Sequence, residues 1–260
     1  WPRFPVERGE DAEEKAEKLR EKWKLGTDAI DDLCGRLEDH GVKVIALGGP
    51  DGFDGYSCWA NERIPVIAFN ANAPGDRQRF NLAHELGHLI LDPAPEVDVE
   101  KAAHRFAGAF LVPAETAYAE LGRKRLNLSF EELRVLKLEY GMSIQAWMRR
   151  SFDLGIIDER TYSMLYRRLS ARGWRRDEPD VVRKETPQRL RLLVFQALAE
   201  NLITPSYAAT LLDESPKDRS VPAKKTLSEP AAPLAREYAE NRELTAFMDV
   251  DLEDLHEEDL

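Results

Sequence analysis

An α+β fold is predicted for this chain: a small antiparallel sheet packed with helices, then segments that are helical throughout, then a disordered acidic tail. Three observations carry that reading. VKVIAL and IPVIAFN are apolar runs rich in β-branched residues, and the turn chemistry of GGPDGFDG lies between them. Several other stretches space their apolar residues three and four apart, which is the helical period. From about residue 126 the strand signal stops and only helical patterns follow.

EDAEEKAEKLREKW puts Ala12, Ala16, Leu19 and Trp23 on one helical stripe and charge elsewhere. DAIDDLCGRLEDHG predicts a second helix, with Ile30, Leu33 and Leu37 as its stripe and Gly41 as its stop. VKVIAL is then a strand, YSCWA resumes an extended pattern after the turn, and IPVIAFN is a second strand. RQRFNLAHELGHLIL follows as a helix ended by Pro93 and Pro95, and VEKAAHRFAGAFL is another that stops at Pro113. Ser129 and Glu132 have the spacing of a capping box. The run after them, SFEELRVLKLEYGMSIQAWMRRSFDLG, reads as two helices joined by a turn around Gly141. DERTYSMLYRRLSARG makes a further helix. The linker DEPDVVRKETP leads into QRLRLLVFQALAENLITPSYAATLLDES, again helix, turn and helix, the second starting at Thr204 and Pro205. The predicted organisation is residues 1–40 as helices packing on a peptidase-like unit, 41–125 as that unit, 126–178 as a helical, helix-turn-helix-like part, and 179–260 as a helical extension and acidic tail.

Composition narrows the function classes. A chain of 260 residues, 43% hydrophobic and 33% charged, is that of a soluble globular protein. A net charge of -11 argues against coating nucleic acid through the overall field. No apolar run approaches the ~18–20 residues of a membrane span, and no signal peptide opens the chain. Cys34 and Cys58 lack CxxC spacing, so a reducing, cytoplasmic setting without disulfides is expected. The start WPRFPVERGED has no methionine, so a fragment of a longer chain is expected, and whether a domain precedes it is open.

HELGH, residues 84–88, is the motif that carries chemistry. On a helix, His84 and His88 lie one turn apart on the same face and can share one Zn²⁺. Glu85 projects elsewhere and can take a proton from a water activated by the ion, then deliver it to a leaving amine. The simpler reading is a helix that carries two histidines by chance. Three features weigh against it: uncharged flanks, Leu82-Ala83 and Leu89-Ile90; Gly87, which costs up to ~1 kcal/mol in a helix and implies close packing or room near an ion; and a third ligand within reach. A third histidine at HExxHxxGxxH spacing is absent, because positions 91 and 94 are Leu and Ala. On the next helix, Glu100 and His104 share a face, and either completes a site of three protein ligands and a water.

The run GDRQRFNLAHELGHLIL followed by EKAAHRFAGAFLVP resembles the ImmA/IrrE family of bacterial and phage metallopeptidases. Glu100, Ala103, Phe106, Ala107 and Pro113 fall in register with that family's pattern, and DGYSCWA and IPVIAFNANAP resemble the strands before its active-site helix. The likeness runs from about residue 12 to about residue 175. One position departs: where the family has Asn or Asp, this chain has His104. The resemblance implies a gluzincin-like fold, with His84, His88 and Glu100 holding the metal, Glu85 as general base and acid, and His104 beside the ligands or as an alternative one. It implies a regulatory endopeptidase with a narrow protein substrate, such as a helix-turn-helix repressor cleaved in phage induction or a DNA-damage response. IPVIAFN is expected to offer an edge to an extended substrate.

Other readings compete. A non-catalytic regulator, or an antitoxin that binds a toxin partner through the peptidase fold, would have no physical need for Glu85. A general degradative protease would be harmful in the cytoplasm. Between residues 121 and 176, Lys and Arg outnumber Asp and Glu by about two to one, and Arg149 and Arg150 would be the phosphate contacts if the helix pair bound DNA. Core packing by Leu136, Ile144, Trp147 and Phe152 explains the same pattern. In the tail, Leu244, Phe247, Leu252 and Leu255 would anchor a partner if the segment folds on binding.

Overall fold

The computed structural model describes residues 1–49 and 52–213. The described residues fall within one compact unit. The anchors expected in the acidic tail lie outside the described residues, as do positions 50 and 51 of the turn run.

The elements, in order, are β1 (Phe4–Val6), α1 (Asp11–Trp23), α2 (Leu33–Asp39), β2 (Lys43–Leu47), β3 (Gly55–Ala60), β4 (Ile64–Asn70), α3 (Gly75–Ile90), β5 (Leu91–Pro93), α4 (Val99–Leu111), α5 (Ala114–Leu121), α6 (Phe130–Tyr140), α7 (Ile144–Asp153), α8 (Glu159–Ala171), α9 (Arg189–Ala199) and α10 (Pro205–Asp213). This is an α+β architecture. No helix among the described residues is long and apolar enough to cross a membrane.

The main sheet is mixed, which corrects the expectation of an antiparallel one. Its order is β2-β4-β3; β3 runs antiparallel to β4, and β2 runs parallel to it. Asn61 and Glu62 both take positive φ, 50° and 59°, the conformation of a tight hairpin turn, and this fixes the β3–β4 pair as antiparallel. β4 is the most deeply buried strand, so it takes the centre and β2 pairs with its other side. A second, two-stranded parallel sheet joins β1 to β5.

α2 is shorter than its sequence pattern. It starts at Leu33, with the Asp32 carboxylate accepting from Gly35 N at 2.8 Å. Residues 28–32 stay outside it because the carbonyls of Asp28 and Ile30 accept from the buried guanidinium groups of Arg20 and Arg79. The Ser129–Glu132 capping box forms at the start of α6, and Gly141 ends that helix with φ 65°.

α4 lies between α1, α3 and α7, with Ala103, Phe106, Ala107 and Phe110 at 0–1% exposure. Small residues let the neighbouring helices approach. Arg150 on α7 is 2% exposed; its guanidinium meets both carboxylate oxygens of Glu13 on α1, and its Nε donates to Val112 O at 2.9 Å. Arg149 pairs with Asp153 at 2.9 Å. The basic pair that would have faced phosphate on α7 is therefore engaged within the fold, and Arg150 is out of reach of any external ligand.

Residues 177–188 form neither helix nor strand, and they pass as a strap over the first turns of α3. Glu178 accepts from Lys137 Nζ at 3.0 Å and from Ile144 N at 2.8 Å, and Lys137 also meets Asp76 of α3 at 3.0 Å. Glu185 binds Arg79 of α3 and accepts from Cys34 N at 2.9 Å, while its own N–H donates to Gln78 Oε1 at 2.9 Å. Gly75 makes this crossing feasible, since a Cβ there would collide with the carbonyl oxygens of Val182 and Arg183.

Two stability outcomes are expected. Gly75→Ala should lift the strap and cost about 1–3 kcal/mol. Glu13→Ala should cost about 3–5 kcal/mol by leaving a buried guanidinium without its carboxylate. Urea unfolding of each variant against the parent measures both, and a shift under 0.5 kcal/mol in either would contradict the account of that contact.

Candidate active site

The sequence places HELGH on the C-terminal half of α3, whose helix needs one side for the sheet and another for α4. Leu82, Leu86, Leu89 and Ile90 take the core side at 0–3% exposure. His84 and His88 then project together from the opposite side, one turn apart. Glu100 stands in the first turn of α4, behind the Asp98 cap, where the Asp98 carboxylate accepts from Lys101 N at 3.0 Å.

These three side chains converge. His84 Nε2 and His88 Nε2 are 2.9 Å apart, His84 Nε2 is 3.1 Å from Glu100 Oε2, and His88 Nε2 is 3.3 Å from Glu100 Oε1. All three ligand atoms lie within 4.8 Å of one another. Ligands at ~2.0–2.2 Å from a tetrahedral ion stand about 3.3–3.5 Å from each other, so the three atoms are spaced nearly as such an ion requires. Burial alone would push the Glu100 carboxyl up, but hydrogen bonds from His84 and His88 outweigh it and hold the group well below the usual carboxylate range. For His88, burial favours the neutral ring, yet the Glu100 carboxylate more than compensates and raises its pKa. The residues present therefore fit a divalent cation, as two imidazole nitrogens and a carboxylate turned toward a common point.

Gly87 sets the separation of the two helices that carry this set. A Cβ at this position would lie 3.2 Å from Phe106 Cδ1 and 3.3 Å from Ala103 Cα, so α3 and α4 touch here almost backbone to backbone. Its role is close packing rather than room beside the ligands.

Glu85 is not in the cluster, and 5% of its surface is exposed. Burial pushes its carboxyl pKa up, and the hydrogen bond from Ser57 opposes that rise. Ser57 Oγ donates to Glu85 Oε2 at 2.6 Å. Ser57 and Gly55, both on β3, were not among the residues singled out from the sequence. The alternation in GYSCWA is visible, but the side that faces α3 depends on the register of β3 against β4.

His104 follows Glu100 by one turn, and its ring centroid lies 4.4 Å from that of His84 and 5.7 Å from that of Phe80. Burial, reinforced by the neighbouring His84, pushes its pKa well down. It packs beside the cluster, and the convergent set among the described residues is His84, His88 and Glu100.

Residues 37–151, which contain α3, α4 and the convergent set, match the model of the family described as Peptidase_M78, IrrE N-terminal-like domain. Over that stretch the chain is similar to an M78-type peptidase domain. No curated protein matches it. The family's stretch ends within α7, so the strap that fastens the start of α3 lies beyond it.

Because the spacing of α3 and α4 sets the spacing of the ligands, Gly87→Val should cost about 1–3 kcal/mol in stability and weaken divalent metal binding at the same time. Unfolding and metal titration on the same sample check this. Unchanged metal affinity in a destabilised variant would show that the helix contact does not govern the site.

Proposed function

We propose that this protein is a zinc-dependent endopeptidase acting on a specific regulatory protein, for which a helix-turn-helix repressor is the expected type. The observation that carries the reading is the convergence of His84, His88 and Glu100 beside a buried Glu85 that is not one of them. A pure binding module would need neither the convergence nor a carboxylate held in a pocket. Similarity of residues 37–151 to an M78-type peptidase domain supports the same reading, and the narrow, repressor-like substrate rests on resemblance to the ImmA/IrrE family.

His84, His88 and Glu100 would hold the ion through two imidazole nitrogens and a carboxylate. When bound, zinc supplies a Lewis acid that polarises the scissile carbonyl and brings the pKa of water toward ~7. Glu85 takes the proton of the attacking water as its oxygen bonds to the carbonyl carbon. It then returns that proton to the leaving nitrogen as the C–N bond breaks. Burial raises the pKa of this carboxyl, which favours its holding the proton between the two steps.

The expected docking edge requires a correction. IPVIAFN is β4, which is paired on both sides and has no free edge. Among the described residues β3 is an outer strand of that sheet and packs beside α3, and its outer side can take an extended peptide by main-chain hydrogen bonds.

Protein purified without chelators should contain about one zinc per chain and cleave its partner protein. Glu85→Gln should keep the zinc and lose about 100-fold or more in cleavage rate. Glu100→Ala should weaken zinc binding more than about 100-fold, and His104→Ala distinctly less. Metal analysis and cleavage of candidate repressors test these outcomes. Full activity in Glu85→Gln, or equal metal loss from Glu100→Ala and His104→Ala, would overturn the assignment of roles.

A further inference from the structure

We propose that Ser57 is a positioning residue for Glu85: its hydroxyl fixes one carboxylate oxygen and leaves the other as the proton-accepting atom. This inference rests on the peptidase reading above and extends it to the strand beside the catalytic helix.

The geometry comes from one strand. Side chains alternate along β3, so Gly55, Ser57 and Trp59 share a face while Tyr56 and Cys58 take the other. That shared face is turned to α3 at each of the three positions. Trp59 Nε1 donates to Leu89 O at 3.3 Å, just past the HELGH turn. Ser57 Oγ donates to Glu85 Oε2 at 2.6 Å. At Gly55, a Cβ would stand 3.0 Å from both Cγ and Oε1 of Glu85.

Each contact has a separate consequence for the carboxylate. An O–H···O⁻ bond of this length is of the strong, charge-assisted kind, so it orients the group firmly. With Oε2 engaged, rotation of the carboxylate about its last bond is blocked, and Oε1 lies beside Gly55, where a larger residue's Cβ would crowd it. Trp59 pins the far end of the strand to α3, which keeps Ser57 in register with Glu85. A buried carboxylate without such a donor would be costly to keep charged and free to turn. Ser57 gives up no proton in the cycle; the proton from water moves to Oε1 and then to the amine nitrogen.

The same strand has the open edge. Its main chain faces the incoming peptide, while its Ser57 side chain, on the sheet face toward α3, aims the group that acts on it. Docking and proton transfer thus share one element.

The test uses the full chain loaded with Co²⁺ and titrated with acetohydroxamic acid, followed by visible absorption. A hydroxamate chelates the ion and passes its hydroxyl proton to an adjacent carboxylate, so its affinity reads the carboxylate's position without any peptide substrate. Azide, which binds the ion alone, is the control. Ser57→Ala should load cobalt and bind azide as the parent does, yet lose about tenfold in hydroxamate affinity. Ser57→Thr should restore it to within about twofold, since the hydroxyl remains. In a Glu85→Gln background, Ser57→Ala should add no further loss, because the serine acts only through the carboxylate.

Unchanged hydroxamate affinity in Ser57→Ala, a loss that persists in the Glu85→Gln background, or failure of Ser57→Ala to load cobalt would each overturn the proposal. Failure of the parent to load any metal would overturn the metal reading and this proposal together. A chain that passes every cobalt test but cleaves no protein would overturn the peptidase reading alone.

Discussion

The contact between α3 and α4 at Gly87 is the constraint on which the rest depends. Two ligands stand on one helix and the third on the other, so the distance between the helix axes becomes the distance between ligand atoms. Gly87 against Ala103 and Phe106 sets that distance by bare van der Waals contact. Packed interiors resist compression, and this makes a steric contact a better ruler than a hydrogen bond, which tolerates several tenths of an ångström. The small residues of α4 extend the same economy, allowing α1, α3 and α7 to crowd around it.

A helix held only at its centre could still swing at its ends, and here both ends are fastened. At the start, Asp76 and Arg79 reach the strap and its neighbours through buried ion pairs, and Gln78 accepts a hydrogen bond from the strap's backbone. At the finish, Trp59 holds the carbonyl of Leu89. Buried ion pairs contribute little net stability once desolvation is counted, but they define one arrangement sharply, because a partner displaced by an ångström leaves a charge uncompensated. Orientation, more than stability, is what these contacts give α3.

Much of this was legible in the sequence, and what was not has definite physical causes. The i, i+4 histidines, the helix on each side of them, the Ser129–Glu132 box and the stop at Gly141 all depend on residues close together in the chain. The direction of β2 was not legible, because VKVIAL and IPVIAFN are compatible with either orientation until β3 has taken one side of β4. Ser57 was invisible for a similar reason: a serine in a strand acquires meaning only when the face opposite is known. The place of Arg150 stayed open between phosphate contact and the core, because nothing local distinguishes an arginine on the surface from one turned toward Glu13, 137 residues away. His104 is the intermediate case. Sequence could put it on the ligand face of α4 but not say whether the turn from Glu100 brought it inside the cluster.

The strap also bears on the order in which the molecule becomes itself during synthesis. Glu185 meets Cys34 across 151 positions and Arg79 across 106, so its partners emerge from the ribosome long before it does. Until then, the loop before α2 and the first turns of α3 lack their acidic counterpart, and the polar side chains there remain in water. Contacts that close such long loops are the last a growing chain can make. The two histidines, Glu85 and Glu100 are translated early, yet the helix that bears three of them gains its final support only once residue 185 is free to fold back. A nascent chain would therefore carry the complete letters of the motif for some time before it carries a fully supported site.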